Sequence, residues 1–379
     1  MKRVAVIPGD GIGPEVVGVA VRVLEAVRYR HGVPLELEEL PYGSEHYLRT
    51  GTALPPEERQ RIGREYDAIL LGAVGDPRVP DNTPAREIVL GLRFDLDLYV
   101  NLRPFHLLDE RLSPLKGKTT ADIDFTIVRE NTEGIYVGVG GSMRKGTPHE
   151  VAIAEMIYTH RGTERIIRWA FEFAARRRVD KVCCVHKQNA IPSIGNLWLR
   201  VFRQVASDYP DIEATDMLVD RAAMEILRAP EQFGVMVTSN LFGDILSDEA
   251  AQLIGGIGLA PSANLGVSRA ALFEPVHGSA PDIAGQGKAN PIGAVLSTAL
   301  LLDHLGYEEA SASVRYAAAA AIRTNRVTRD LGGNLSTEQV GDFLVHFLDA
   351  DHGPRANEEL TEPGIVDSDP STPGRPVEL

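Results

Sequence analysis

The sequence predicts an α/β protein whose parallel or mixed sheets are flanked by helices, and three observations carry that prediction. Apolar, β-branched runs recur along the chain, separated by segments of helix length, which is the pattern of parallel strands joined by helical crossovers. The opening stretch VAVIPGDGIGPEV, residues 4–16, reads as strand, glycine turn and helix, with Pro14 supplying the preset φ of a first helical turn. Several apolar runs stop abruptly in charged residues, as strands do when their carboxyl ends line a ligand site.

Taken in order, LELEEL (35–40) alternates apolar and acidic residues as a half-buried strand, and YDAILLGAVGDP (66–77) is an apolar run closed by glycines. DFTIVREN (124–131), DKVCCVHKQN (180–189) and FGVMVTSN (233–240) read as buried strands that end in polar residues. Between them, residues 151–178 carry apolar side chains at three-and-four spacing with arginines at the end, which predicts a helix over that span. LFGDILSDEAAQLIGG (241–256) and the alanine-rich stretches 294–305 and 310–323 read as further helices. Residues 351–379 are acidic, proline-rich and poor in large apolar groups, and are expected to form a disordered tail.

A chain of 379 residues with 44% hydrophobic content has room for two domains. Its formal charge of -14 excludes nucleic acid as the main partner but leaves small anionic substrates open, because a local arginine cluster overrules the global sign. The two cysteines, Cys183 and Cys184, are strand neighbours pointing to opposite faces, so no disulfide between them is expected. No apolar run reaches the roughly 18 residues of a membrane span, and the MKR start lacks a signal-type segment; a reducing, cytoplasmic setting is expected.

Four features carry chemistry. Asp244 and Asp248 are four residues apart and would share one helix face, an oxygen pair suited to a divalent cation such as magnesium or manganese. Alone, such a pair is commonly a solvated acidic face. Arg93, Arg103 and Arg129 lie in or beside apolar segments and could grip a substrate with two or more carboxylates by forked hydrogen bonds. Lys187, at a strand end, becomes a candidate base if desolvated near a cation. FEPVHGSAPDIAGQGKANP (273–291) gathers glycines, prolines and small residues that let backbone approach a ligand. The opening loop is a different matter, since its glycines follow G-x-G-x-G and Pro14 interrupts the G-x-G-x-x-G dinucleotide fingerprint, so this is not a Rossmann loop.

Through IPGDGIGPEV, LDLYVNLRP, VRENTEGIY, HKQN, NLFGDILSDEA and FEPVHGSAPDIAGQGKANP, in that order, the chain resembles the metal-dependent β-decarboxylating dehydrogenases of 2-hydroxy acids. This is the isocitrate/isopropylmalate dehydrogenase family; the resemblance runs from residue 1 to about 348 and is nearest to the isopropylmalate-type members. It implies their two-domain fold, with residues 1–101 and 256–350 forming a cofactor domain and 102–255 a domain for dimerisation and metal binding. It implies a homodimer with shared sites, in which Asp244 and Asp248 hold Mg2+ or Mn2+ together with Asp220, which also faces substrate, and in which Asp220 and Lys187 come from the other subunit. By the same resemblance, Arg93, Arg103 and Arg129 grip substrate carboxylates, Lys187 accepts the hydroxyl proton, and Tyr136 protonates the carbon that loses carbon dioxide. The cofactor's adenosine end would lie on the 277–290 loop, through Glu274, His277, Gly278, Ser279, Ala280, Asp282, Ile283 and Asn290, with the N-terminal turn on the nicotinamide side. Asp282 and Ile283 stand where NADP-using members carry a lysine and a tyrosine, which implies NAD.

The resemblance places substrate selection in AREIVLGLR (85–93), where Ile88, Val89 and Leu90 offer an aliphatic wall. That implies a 3-alkylmalate, first of all 3-isopropylmalate on the route to leucine. Arg86 keeps an anionic group in play, and Ala190 leaves room for a larger alkyl group, so homoisocitrate, isocitrate, tartrate, D-malate or a specialised 3-alkylmalate stay open. A non-catalytic regulatory subunit or a mere dicarboxylate sensor is disfavoured because the whole set of candidate groups occurs together.

Overall fold

The computed structural model describes residues 1–79 and 81–350; the expected tail lies outside the described residues. Among the described residues twelve strands form: β1 Lys2–Ile7, β2 Leu35–Glu39, β3 Ala68–Leu71, β4 Val100–His106, β5 Asp124–Glu130, β6 Gly140–Met143, β7 Val151–Ala154, β8 Lys181–His186, β9 Glu213–Leu218, β10 Val235–Thr238, β11 Pro261–Leu265 and β12 Ala271–Pro275. The helices are α1 Gly13–His31, α2 Ser44–Thr50, α3 Pro56–Glu65, α4 Thr83–Ala85, α5 Gly91–Asp95, α6 His160–Arg177, α7 Pro192–Ala206, α8 Val219–Arg228, α9 Asn240–Leu253, α10 Ile292–His304, α11 Glu308–Arg323 and α12 Thr337–Asp349. Among the described residues no helix is long and apolar enough to cross a membrane.

Ten strands make one mixed sheet in the order β2-β1-β3-β12-β11-β4-β5-β10-β8-β9. Parallel pairing holds within β2-β1-β3-β12 and within β5-β10-β8-β9, and two antiparallel central strands, β11 and β4, join those blocks. Fully buried runs such as AILL in β3 and VMVT in β10 have the unbroken apolar character of strands covered on both faces. In α1, Val16, Val19, Ala20, Val23 and Val27 are buried at helical spacing, and Gly32 ends the helix at φ 62°. The larger core cluster runs under both blocks, whereas a smaller one, including Ile7, Ile62, Ile69, Ile88 and Leu92, packs beneath the first block.

One expected helix is corrected. Residues 151–154 pair with 140–143 as the antiparallel ribbon β6–β7, and the helix begins only at His160, where the Thr159 side chain accepts a hydrogen bond from Gly162 N. A short apolar run fits strand or helix until its pairing partner is known.

Candidate functional site

Three strands of the second block deliver polar residues at their carboxyl ends, as the sequence pattern predicts. β5 closes on Arg129 and Glu130, β8 runs into Lys187, and β10 leads through Ser239 into α9. Parallel pairing sets Arg129 opposite Thr238, so the first residue of α9 meets the arginine. Arg129 Nε and Nη2 both donate to Asn240 Oδ1, at 3.0 and 2.8 Å, and Nη1 donates to Asp244 Oδ1. The Tyr136 hydroxyl donates to Asp244 Oδ2 at 2.7 Å, and the Arg129 guanidinium lies 5.3 Å from the centre of the Tyr136 ring. Gly243 makes room for this: a Cβ there would come within 2.6 Å of the Arg129 side chain.

Arg103, on β4, donates to Ser247 Oγ at 2.5 Å and stands 3.8 Å from Asp244 and 4.0 Å from Asp248. Arg93 donates to Glu274 Oε1 at 2.8 Å. All three guanidinium groups are buried, and the Nε atoms of Arg93 and Arg103 have no hydrogen-bond partner among the described residues. Buried donors left open in this way are what a substrate carboxylate would satisfy.

Electrostatics follow from the packing. Burial alone would push the Asp244 carboxyl up, but Arg129, Arg103 and the Tyr136 hydroxyl hold it below the usual range. Asp248 is pushed up by burial and by the charge of Asp244, against the pull of Arg103. Burial, then the bond to Asp244, raises the Tyr136 phenol, which therefore keeps its proton at neutral pH. Burial and the nearby Arg103 lower the Arg129 guanidinium.

A buried amide chain backs this centre. Asn264 Oδ1 accepts from Asn101 and Asn131 Nδ2, both at 2.9 Å, while Asn264 Nδ2 donates to the same Glu274 oxygen that Arg93 uses, at 2.9 Å. Register explains the contact, since Asn264 lies opposite Asn101, which lies opposite Arg129. Neither Asn240 nor Asn264 stands among the sequence candidates. Their signal was an amide inside or just after an otherwise apolar strand, where a buried polar side chain calls for partners.

Lys187 and Asp220 sit elsewhere. Lys187 follows directly on β8, Asp220 lies in the first turn of α8 just past the paired strand β9, and Lys187 Nζ donates to Asp220 Oδ1 at 2.5 Å. Lys187, through that bond, keeps the Asp220 carboxyl low. No group of three or more His, Cys, Asp or Glu side chains able to hold a metal forms among the described residues. The chain therefore brings Asp244, Asp248, Tyr136 and the three arginines together, and pairs Lys187 with Asp220 separately.

The 277–290 loop lies against the N-terminal turn. Ile12 N donates to Ser279 O at 2.9 Å, and Gly11, at φ 60°, lets the chains touch, since a Cβ would stand 2.0 Å from that oxygen. His277 is buried, its Nδ1 lies 3.0 Å from Gly278 O, its Nε2 has no partner among the described residues, and burial lowers its pKa. Gly278 and Asp282 are exposed, Ala280 adopts φ 39°, and Ile283 packs half-buried on the core. The Asn290 side chain is committed to the structure, donating to Asp330 at 2.9 Å and accepting from Ile292 N at 3.0 Å.

Upstream of Arg93, residues Arg86–Leu90 form a π-helical turn between α4 and α5. Ile88 is fully buried in the smaller core cluster, Val89 packs half-buried against that cluster, and Leu90 is half-buried and outside both clusters. The three-residue wall of the sequence reading thus loses Ile88 to the core.

The family described as Isocitrate/isopropylmalate dehydrogenase matches residues 3–344. A 3-isopropylmalate dehydrogenase of Thermobifida fusca is 48% identical over 345 residues, covering 90% of this chain and 96% of its own length. One of Streptomyces griseus is 48% identical over 343 residues, with 90% and 96% covered. Among solved structures, an isocitrate dehydrogenase from Methylococcus capsulatus superposes with a TM-score of 0.83 at 38% identity, covering 92% of this chain and all of that one (100%).

Proposed function

Since the chain belongs to the isocitrate/isopropylmalate dehydrogenase family, we propose that it oxidatively decarboxylates 3-isopropylmalate to 4-methyl-2-oxopentanoate, with NAD and Mg2+ or Mn2+, for leucine synthesis. The observation that carries this reading is the meeting of three buried arginines, Asp244, Asp248 and a protonated Tyr136 at one place. The relatives bear the isopropylmalate name, and Leu90 offers an alkyl group an apolar contact.

The donor set fits a hard divalent cation, for Asp244 and Asp248 are oxygen ligands one turn apart on α9. Two carboxylates leave coordination to be completed, and Asp220 from a second copy is the proposed third. When bound, the cation polarises the hydroxyl and carboxylate oxygens and NAD accepts the hydride. Arg93, Arg103 and Arg129 hold the substrate carboxylates in a region from which burial excludes water. Lys187 takes the hydroxyl proton, and Tyr136 returns a proton to the carbon from which carbon dioxide departs. Asp282 accepts hydrogen bonds from ribose hydroxyls and repels a 2′-phosphate.

The shared-site homodimer rests on two surfaces. Ribbon β6–β7 is exposed along its length yet carries Met143, Val151 and Ile153, and a lone two-stranded ribbon is marginal in water. Met224, Leu227 and Ile245 likewise expose apolar surface on α8 and α9. A second copy covering both would bring Lys187 and Asp220 to the partner's Asp pair. With this dimer goes the proposal that 102–255 serve assembly and metal binding and that 1–101 with 256–350 serve the cofactor.

The test is NADH formation with Mg2+ across 3-isopropylmalate, isocitrate, homoisocitrate, tartrate and D-malate. Strong preference for 3-isopropylmalate is expected. Preference for another acid would refute the substrate assignment and point to Arg86 or Ala190.

A further inference from the structure

Glu15 lies in the first turn of α1, immediately after the opening glycine turn, and its carboxylate is turned to another part of the chain. Gly285 N donates to Glu15 Oε1 at 2.5 Å and Gly287 N donates to Oε2 at 3.0 Å. Both glycines adopt left-handed backbone, φ 71° and 62°, a conformation that L side chains rarely adopt. Two backbone N–H groups on one carboxylate form the kind of small anion cradle that proteins present to phosphates, here filled from within.

We propose that Glu15 is the positioning residue that fixes the 277–290 loop for the adenosine half of the dinucleotide. This rests on the reading that the loop holds the cofactor. Other ties reach the loop at its two ends. Ile12 N holds Ser279 O at 2.9 Å, Thr337 N holds Gly287 O at 2.9 Å, and Thr337 Oγ1 holds Ala289 O at 2.6 Å. Asp282 lies between the Ser279 tie and the Glu15 tie, exposed and without a side-chain hydrogen bond among the described residues. Where its carboxylate stands for a ribose is therefore set by the backbone on either side, and Glu15 holds the downstream side. The G-x-G of AGQGK and the Glu of GPEV are thus two halves of one device, and the opening loop serves the cofactor by bracing another loop.

The test is steady-state kinetics on the purified full chain with 3-isopropylmalate, together with calorimetric titration of ADP-ribose, for Glu15→Gln, Glu15→Asp and Asp282→Lys. Loss of one charge-assisted acceptor in Glu15→Gln is expected to raise the KM for NAD and the Kd for ADP-ribose by about tenfold, leaving kcat at saturating NAD and the KM for the hydroxy acid within about twofold. Glu15→Asp keeps both acceptors on a shorter arm and should recover part of the loss, and it carries the test if Glu15→Gln fails to fold. Unchanged NAD and ADP-ribose affinity in the Glu15 variants, alongside weakened affinity in Asp282→Lys, overturns the positioning role alone. Unchanged affinity in all three variants overturns the loop reading itself. A fall in kcat or in melting temperature with KM unmoved would reduce Glu15 to a helix-end residue and overturn the proposal.

Discussion

The arginine centre and the Lys187–Asp220 pair are both clusters of opposite charge at strand ends, but they are built to different standards. Arg129 is buried and its charge is met by Asn240 and Asp244 together, with Tyr136 behind the carboxylate. A buried charge needs such multiple partners, because desolvation otherwise outweighs a single ion pair. Lys187 and Asp220 share one contact, and the Asp220 side chain is 57% exposed. Exposed pairs contribute little and exchange partners readily. The difference teaches that one chain by itself ties down the arginine centre through several buried partners, whereas the Lys187–Asp220 pair rests on a single, largely exposed contact, as the proposed shared site requires of groups that a second subunit recruits.

The strongest way to break this comparison is to separate the halves genetically. Lys187→Ala should lower turnover by about a thousandfold or more while the chain stays folded and dimeric by sedimentation. Asp248→Ala should do the same through the metal. If the sites are shared, mixing the two inactive chains yields heterodimers with one intact site, and random assortment restores about a quarter of wild-type activity. No recovery, with heterodimers demonstrated, would place both halves within one chain.

A smaller effect sharpens the picture inside the arginine centre. Tyr136→Phe keeps the ring over which Arg129 lies but removes the proton. Decarboxylation should slow by about a hundredfold, while reduction of the keto acid by NADH stays measurable. Equal slowing of both directions would make Tyr136 a support for Asp244 and remove its role as the acid.

The smallest expected effect is on stability. Burial pushes the Glu130 carboxyl up to about 7 from an ordinary 4.5, even though it accepts from Thr132 N and Glu133 N. The folded chain then binds this proton more tightly than the unfolded chain. Its contribution is full below about pH 4.5 and is lost as pH rises through about 7. Melting temperatures at pH 5 and pH 8 should therefore converge in Glu130→Gln relative to wild type. An unchanged difference would show that Glu130 does not titrate in this window.

Much of the site was legible in local sequence because its logic is local. Asp244 and Asp248 share a helix face by spacing alone, and Arg129 and Lys187 end short, β-branched apolar runs that read as strands. Asn240 was harder to find, since its value depends on β10 pairing beside β5, which brings residue 240 to Arg129 across 111 positions. The ribbon at 140–154 was misread in its second half because each strand is defined by the other.

The sequence by itself determined the α/β class, the order of most elements, the aspartate pair and the family, because periodicity, turn chemistry and motif spacing act within a few residues. Only the tertiary structure decided that Ile88 belongs to the core, that Glu274 answers Arg93, that Lys187 pairs with Asp220, and that Glu15 grips glycines 270 and 272 positions away. Those contacts depend on strand order and register, which bring distant segments within hydrogen-bond reach and which no local pattern encodes.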